Sequence, residues 1–210
     1  MPEKPEAPGT PEPKTRTLDA RSLRGLAHPL RIRLLGALRQ DGPATASQLA
    51  QRFGESSGAT SYHLRQLAAH GFVEDAPGHG KGRERWWKSA HDGTVFDEQL
   101  IHDEDPATRG AADLFLHEIA TLHAQEMNAW LGSAHAWSQE WRRSSDISDF
   151  ALRLTPEQSL DLIHRMHDLI NSYRDAPQDG TTETVRFHVH AFPRRSSRDS
   201  GSRHRGSSSE

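Results

Sequence analysis

The chain has 210 residues, of which 33% are hydrophobic and 26% charged, and its mean hydropathy is -0.81. At roughly 100–200 residues per domain, this allows one domain with additions or two small ones and excludes a large multidomain enzyme. The absence of cysteine excludes a disulfide framework, a thiolate nucleophile and cysteine-ligated zinc.

No apolar run approaches the roughly 18–20 residues of a membrane helix, and the basic-then-apolar pattern of a signal peptide is missing, so a cytoplasmic location and no membrane partner are expected. The net charge of -3 conceals opposite signs. Residues 21–92 carry 11 Lys+Arg against 6 Asp+Glu, whereas residues 93–193 carry 7 against 17. The first stretch suits a polyanion and the second repels one, which fits a DNA-binding module joined to an acidic module.

In chain order, residues 1–17 contain five prolines and are expected to form a disordered tail. Leu18 to His28 reads as a short helix, and Pro29 suits the first turn of a second helix running to about Gln40. Leu30, Leu34, Ala37 and Leu38 share one face of that helix while Ile32 falls opposite, so it should be covered on two sides. Thr45 and Gln48 form a capping box for a third helix ending at Gly54. Ser57 is a suitable N-cap for a fourth, which runs to about His70 and stops at Gly71.

At 100° per residue, the fourth helix turns Thr60, Leu64 and Leu67 inward and Gly58, Ser61, Tyr62, Arg65 and Ala69 outward. His63 lies toward the core side. Phe72–Ala76 and Arg83–Ser89 read as strands joined by a basic, turn-rich loop at 77–82, with one of Trp86 and Trp87 facing inward. This order is that of a winged helix, in which the second helix of the turn enters the major groove and the hairpin lies along the backbone.

On the outward face, Ser61, Tyr62 and Arg65 offer donors and acceptors to base edges, and the small Gly58 lets the helix start approach closely. Ser57 can hold a phosphate, as can Thr45, Ser47 and Gln48 at the start of the third helix. Lys81, Arg83 and Arg85 would neutralise phosphates beside the groove. About four to six such contacts per subunit would give a steep salt dependence, near -0.9 in log–log slope per phosphate.

The run Ser57-Gly-Ala-Thr-Ser-Tyr-His-Leu-Arg-Gln-Leu-Ala-Ala-His-Gly-Phe-Val73 resembles the recognition helix of ArsR-type winged-helix regulators. The run His28-Pro-Leu-Arg-Ile-Arg-Leu-Leu35 is similar to their second helix, and the resemblance covers about residues 18–92. It implies a homodimeric bacterial transcription regulator, often a repressor. Metal sensors of that family use cysteines on the third helix or carboxylate and histidine sets on the last, and this chain has no cysteine.

In the acidic half, a helical pattern runs from Pro106 to about Arg143. Met127, Trp130, Ala134, Trp137 and Trp141 recur at spacings of 3, 4, 3 and 4, a seam that calls for a partner helix. A helix of that length would reach roughly 55 Å, more than a small domain covers, so packing in a dimer is expected, with packing on a later helix of the same chain as the alternative. Phe150, Leu152 and Leu154 alternate as in a strand. Thr155 and Gln158 box a helix with Leu160, Ile163, Met166, Ile170 and Tyr173 on one face, and Val185, Phe187, Val189 and Ala191 alternate again. This strand-helix-strand unit would hold a ligand or stabilise the dimer. Arg194 to Glu210 reads as a disordered Ser/Arg-rich tail.

Among 14 histidines, His164 with His167 and His188 with His190 have ligand-like spacings, but each pair lacks a third ligand, so neither metal nor cofactor is expected. No phosphate loop or nucleophile elbow occurs and no enzyme activity is expected. The sequence therefore points to a mainly α fold with small β content. A winged helix-turn-helix domain over 18–92 would be followed by an acidic dimerisation and possible effector region over 93–193. The expected function is a regulator reading operator DNA as a homodimer. The alternatives are a protein-interaction module acting through the acidic half and a metal-dependent hydrolase built on the paired histidines.

Overall fold

The computed structural model describes residues 14–79 and 84–194. It divides into two compact units, Met1–Arg142 and Arg143–Glu210. Helices dominate and the strands are short, the mainly α architecture with small β content that the sequence predicts.

In the first unit, α1 (Ala20–Leu26) starts at a capping box: Ser22 N donates to Asp19 Oδ1 at 2.7 Å and Asp19 N donates to Ser22 Oγ at 2.9 Å. These bonds, the side-chain bond from Ser22 foremost, hold the Asp19 carboxyl below its ordinary range. Then α2 (Pro29–Gln40) has Pro29 at its first position, where no N–H is needed. It buries Leu30, Ile32, Leu34, Leu35, Ala37 and Leu38, so it is covered on both sides, as the position of Ile32 requires.

Next come β2 (Ala44–Thr45), α3 (Ala46–Phe53) and α4 (Ser57–Ala69), followed by β3 (Val73–Asp75), β4 (Trp86–Ser89) and β5 (Gly93–Val95). An antiparallel sheet has the order β2-β4-β3, with Thr45 opposite Trp86 and Val73 opposite Ser89. Trp87 is buried and Trp86 half-buried, the alternation expected of a strand with one covered face. Leu23, Leu26, Leu34, Leu35, Leu64, Leu67 and Phe72 form the centre of the core.

One strand was not foreseen. Thr15–Thr17 (β1), which falls in the stretch read as a disordered tail, pairs in parallel with β5, Thr15 opposite Gly93 and Thr17 opposite Val95. Its β-branched ends suit a strand, and long-range contacts hold it. Arg16 donates to the His70 carbonyl and lies over the Phe72 ring at 4.5 Å, and Lys14 N donates to Asp92 Oδ2 at 2.8 Å. Arg39 braces the same edge, Nε donating to His91 O at 3.0 Å and a terminal nitrogen to Thr94 Oγ1 at 2.7 Å. Burial pushes the Arg39 guanidinium down to about 10.

After a 3-10 turn at Glu98–His102, α5 spans Pro106–Ser133. Its first half packs on the core through Thr108, Ala112 and Phe115, with Phe96 and Phe115 stacked 5.7 Å apart. Arg24 ties α1 to this helix, donating to Asp105 Oδ2 at 2.8 Å and Thr108 Oγ1 at 2.6 Å.

The helix expected to run unbroken to about Arg143 instead ends at Ser133. Ala134–Ala136 is a 3-10 turn, Trp137 is extended, and α6 (Gln139–Arg143) starts anew. At 1.5 Å per residue, α5 is about 42 Å long, not 55 Å. Gly132 and Ser133 weaken the helix, Ser133 Oγ bonding back to Ala129 O at 2.9 Å, and Ser138 Oγ receives Trp141 N at 3.3 Å. Met127 and Trp130 therefore lie on α5, Ala134 in the turn, Trp137 between helices and Trp141 on α6. The Trp137 and Trp141 rings meet edge to face at 6.4 Å.

In the second unit, α7 (Pro156–Ser172) begins at the expected capping box, Gln158 N donating to Thr155 Oγ1 at 3.2 Å and Thr155 N to Gln158 Oε1 at 2.9 Å. The strands expected at 150–154 and 185–191 do not form: both segments are irregular. Alternation supplies an apolar face but no hydrogen-bonding neighbour, and a strand needs both.

Candidate nucleic-acid interface

The two helices of the turn are fixed by local chemistry. Thr45 caps α3, its Oγ1 accepting Gln48 N at 3.2 Å while Gln48 Oε1 accepts Thr45 N at 2.8 Å. Gly54 ends α3 with φ +68°, a left-handed conformation that glycine adopts without strain. The N-cap of α4 is Ser56 and not Ser57: Ser56 Oγ accepts Ala59 N at 3.1 Å. Ser57 is thereby the first helical residue, with its hydroxyl exposed.

Inward, α4 buries Thr60, Leu64 and Leu67. Outward, Gly58, Tyr62, Arg65 and Ala69 are exposed and Ser61 is half-buried, the division that helical periodicity predicts. Tyr62 is 52% exposed, and among the described residues Arg65 has no hydrogen-bond or ion-pair partner. A Cβ on Gly58 would meet nothing within 4 Å, so the fold itself does not demand glycine there.

The residues expected on phosphates are disposed less simply. Thr45 is buried and its hydroxyl serves the cap, so it is withdrawn from any ligand, while Gln48 is exposed with its amide oxygen held by Thr45 N. Ser47 is exposed but donates to Glu84 Oε1 at 3.1 Å. Arg85 forms an ion pair with Asp75 and lies over the Trp87 ring at 3.9 Å. Lys81 and Arg83 lie outside the described residues. Sequence reasoning missed Ser56, Glu84 and Asp75. The adjacent serines 56 and 57 signalled a cap in that region, but Asp75 is placed opposite Trp87 by sheet register and Glu84 lies just ahead of β4, and no local pattern announces either contact.

His63 is half-buried on the inner flank of α4, and its ring lies tilted against that of His28 at a centroid distance of 4.3 Å. His28 is the N-cap of α2, its Nδ1 accepting Leu30 N at 3.1 Å.

Residues 26–76, from the end of α1 through β3, match the family described as a helix-turn-helix domain. The chain carries a winged helix-turn-helix domain. Among solved structures, the apo form of a doubly substituted ZitR from Lactococcus lactis is similar. It is 13% identical, covering 73% of this chain and 82% of that one, with a TM-score of 0.28. No curated protein sequence matches. Among the described residues, no cluster of three or more histidines or carboxylates could hold a metal ion, and no helix is long and apolar enough to cross a membrane.

Proposed function

We propose that the chain is a DNA-binding transcription regulator whose winged helix-turn-helix domain reads operator DNA through the outward face of α4. The observation that carries this reading is the exposed edge Gly58, Tyr62 and Arg65 on the second helix of the turn, Arg65 being unpaired among the described residues. A slim helix start followed by a hydrogen-bonding aromatic and a guanidinium suits the major groove, where arginine addresses guanine O6 and N7. Ser57 and Ser61 supply shorter contacts at the same helix start, and Arg85, next to β4, would meet a flanking phosphate, the role the sequence also gives to Lys81 and Arg83.

The regulator acts as a homodimer that blocks polymerase access. Two α4 helices about 34 Å apart would meet successive major grooves on one DNA face. The second half of α5 supports pairing in that it exposes Met127 and Leu131, with Trp137 just beyond it, a row of large apolar side chains that water disfavours. Any effector would act on this acidic half.

Footprinting on genomic fragments tests the reading. Arg65→Ala should lose about 1–3 kcal/mol of discrimination at one base position per half-site. Unchanged protection and unchanged sequence preference would reject α4 as the reading helix.

A further inference from the structure

Among the described residues, the second unit is rich in exposed apolar side chains. Residues 143–194 contain no buried residue. Phe150 is 82% exposed, Phe187 66%, Phe192 79% and Tyr173 71%. A fully covered aromatic side chain buries about 150–250 Å², so these four alone leave roughly 450–750 Å² uncovered. The largest apolar patch on a typical monomer is about 300–600 Å². Leu152, Leu154, Leu160, Leu169 and Val185, also exposed, bring the apolar surface close to the ~800 Å² that each partner contributes to a standard interface.

The pattern of these side chains is as informative as their area. Phe150, Leu152 and Leu154 alternate with Asp149, Ala151 and Arg153, and Val185, Phe187, Val189 and Ala191 alternate with Arg186, His188 and His190. Each segment has the period of a half-buried strand, yet neither is paired into a sheet. Between them lies α7, a 17-residue helix with no buried residue. The unit holds two candidate strands and a helix to cover them, which is too little for an independently stable sheet, for which three or more strands are the usual minimum. A second copy doubles the count to four strands and two helices.

Charge also favours a second copy over a highly charged partner. Residues 93–142 carry 2 Lys+Arg against 9 Asp+Glu, whereas residues 143–193 carry 5 against 8. The acidic surplus thus sits mostly ahead of this unit, whose own charges are mixed. Two copies can meet here without the like-charge repulsion that the preceding stretch would impose.

We propose that the second unit is one half of a two-copy fold, in which segments 150–154 and 185–191 become strands of a shared sheet and the apolar face of α7 covers it. The interface is isologous, each copy offering the same patch. The proposal rests on the homodimer put forward above but does not use DNA reading by α4, so either can fail alone.

Hydrogen exchange and sedimentation on the full-length chain test it, with the wild type compared with Phe187→Asp at the same concentration. The wild type should sediment as a dimer in which amides of 149–154 and 184–191 exchange at least about tenfold more slowly than in an unfolded chain. Phe187→Asp should shift the chain toward monomer and abolish that protection, with α4 amides protected as before. A wild-type monomer would overturn the proposal, as would a dimer whose segments exchange freely or a monomeric variant whose segments stay protected. Gel mobility of DNA fragments with the same samples reads the DNA hypothesis separately.

Discussion

The ring of His63 on α4 lies tilted against that of His28, the residue that caps α2, with centroids 4.3 Å apart, and both rings are held toward the neutral form. The His28 cap needs a lone pair on Nδ1 to accept Leu30 N, and protonation would replace that acceptor with a donor. Among the described residues, buried His63 Nδ1 has no hydrogen-bond partner. Burial lowers both pKa values below 6.5. Arg31 lowers both further, and His28 itself lowers that of His63; Glu55 opposes this at both rings and Glu118 at His28.

Because the folded pKa values are depressed, the unfolded chain binds protons first as pH falls, and stability is lost from about the unfolded value of 6.5 downward. His70 and His91 are shifted the same way, also by burial first. Thermal melts should show the melting temperature of the domain falling between pH 7 and 5. His63→Leu should flatten part of that slope; parallel curves for the two proteins would sink the assignment.

Gly25 is fixed by close approach and not by backbone conformation. A Cβ at that position would lie 2.3 Å from the His70 ring, so α1 and the end of α4 approach more closely than any side chain between them permits. Gly25→Ala must displace the ring and, with it, the turn whose His70 carbonyl receives Arg16. A loss of about 1–3 kcal/mol in urea unfolding is expected, the range for overpacking. A neutral or stabilising result would mean that the ring swings aside freely.

Features written in adjacent residues were legible in the sequence. The Thr45/Gln48 and Thr155/Gln158 boxes, Pro29 at its helix start, Gly54 and the two faces of α4 all follow from contacts within four positions along the chain. What was not legible depends on distant partners. Thr15–Thr17 is a strand because Gly93–Val95 lies beside it, and the expected strands at 150–154 and 185–191 lack any such neighbour. The site divides in the same way. Tyr62 and Arg65 face outward by periodicity alone, whereas Arg85 is engaged by Asp75, ten residues away and across a sheet. The end of α5 was a local signal passed over: Gly132 and Ser133 outweigh a seam that continues in sequence but not in helix.

Gly58 separates the needs of the fold from those of recognition. The position is the second residue of α4, in its exposed first turn with open space around it, where glycine costs at most about 0.5–1 kcal/mol relative to a good helix former. Gly58→Leu should therefore raise stability by up to roughly that amount. If α4 enters a groove, the same change should weaken specific DNA binding at least about tenfold, because the added side chain occupies the space of closest approach. Stabilisation with undiminished binding would remove Gly58 from the interface.

Arg85 offers the last test, because its present partners compete with DNA. Its guanidinium is paired with Asp75, a second bond measuring 3.1 Å, and stacked on Trp87. Both members of the ion pair are about half exposed, so the pair adds only about 0–1 kcal/mol to stability. A phosphate beside the wing would have to draw Arg85 from a carboxylate that also repels it. Asp75→Asn should then leave the melting temperature nearly unchanged, tighten DNA binding several-fold and steepen its salt dependence toward one further phosphate, about -0.9 in log–log slope. Arg85→Ala should weaken binding evenly across sequences, and less than Arg65→Ala weakens it at its preferred site. If Asp75→Asn leaves both affinity and slope where they were, Arg85 belongs to the packing of the wing on Trp87 and not to its contact with DNA.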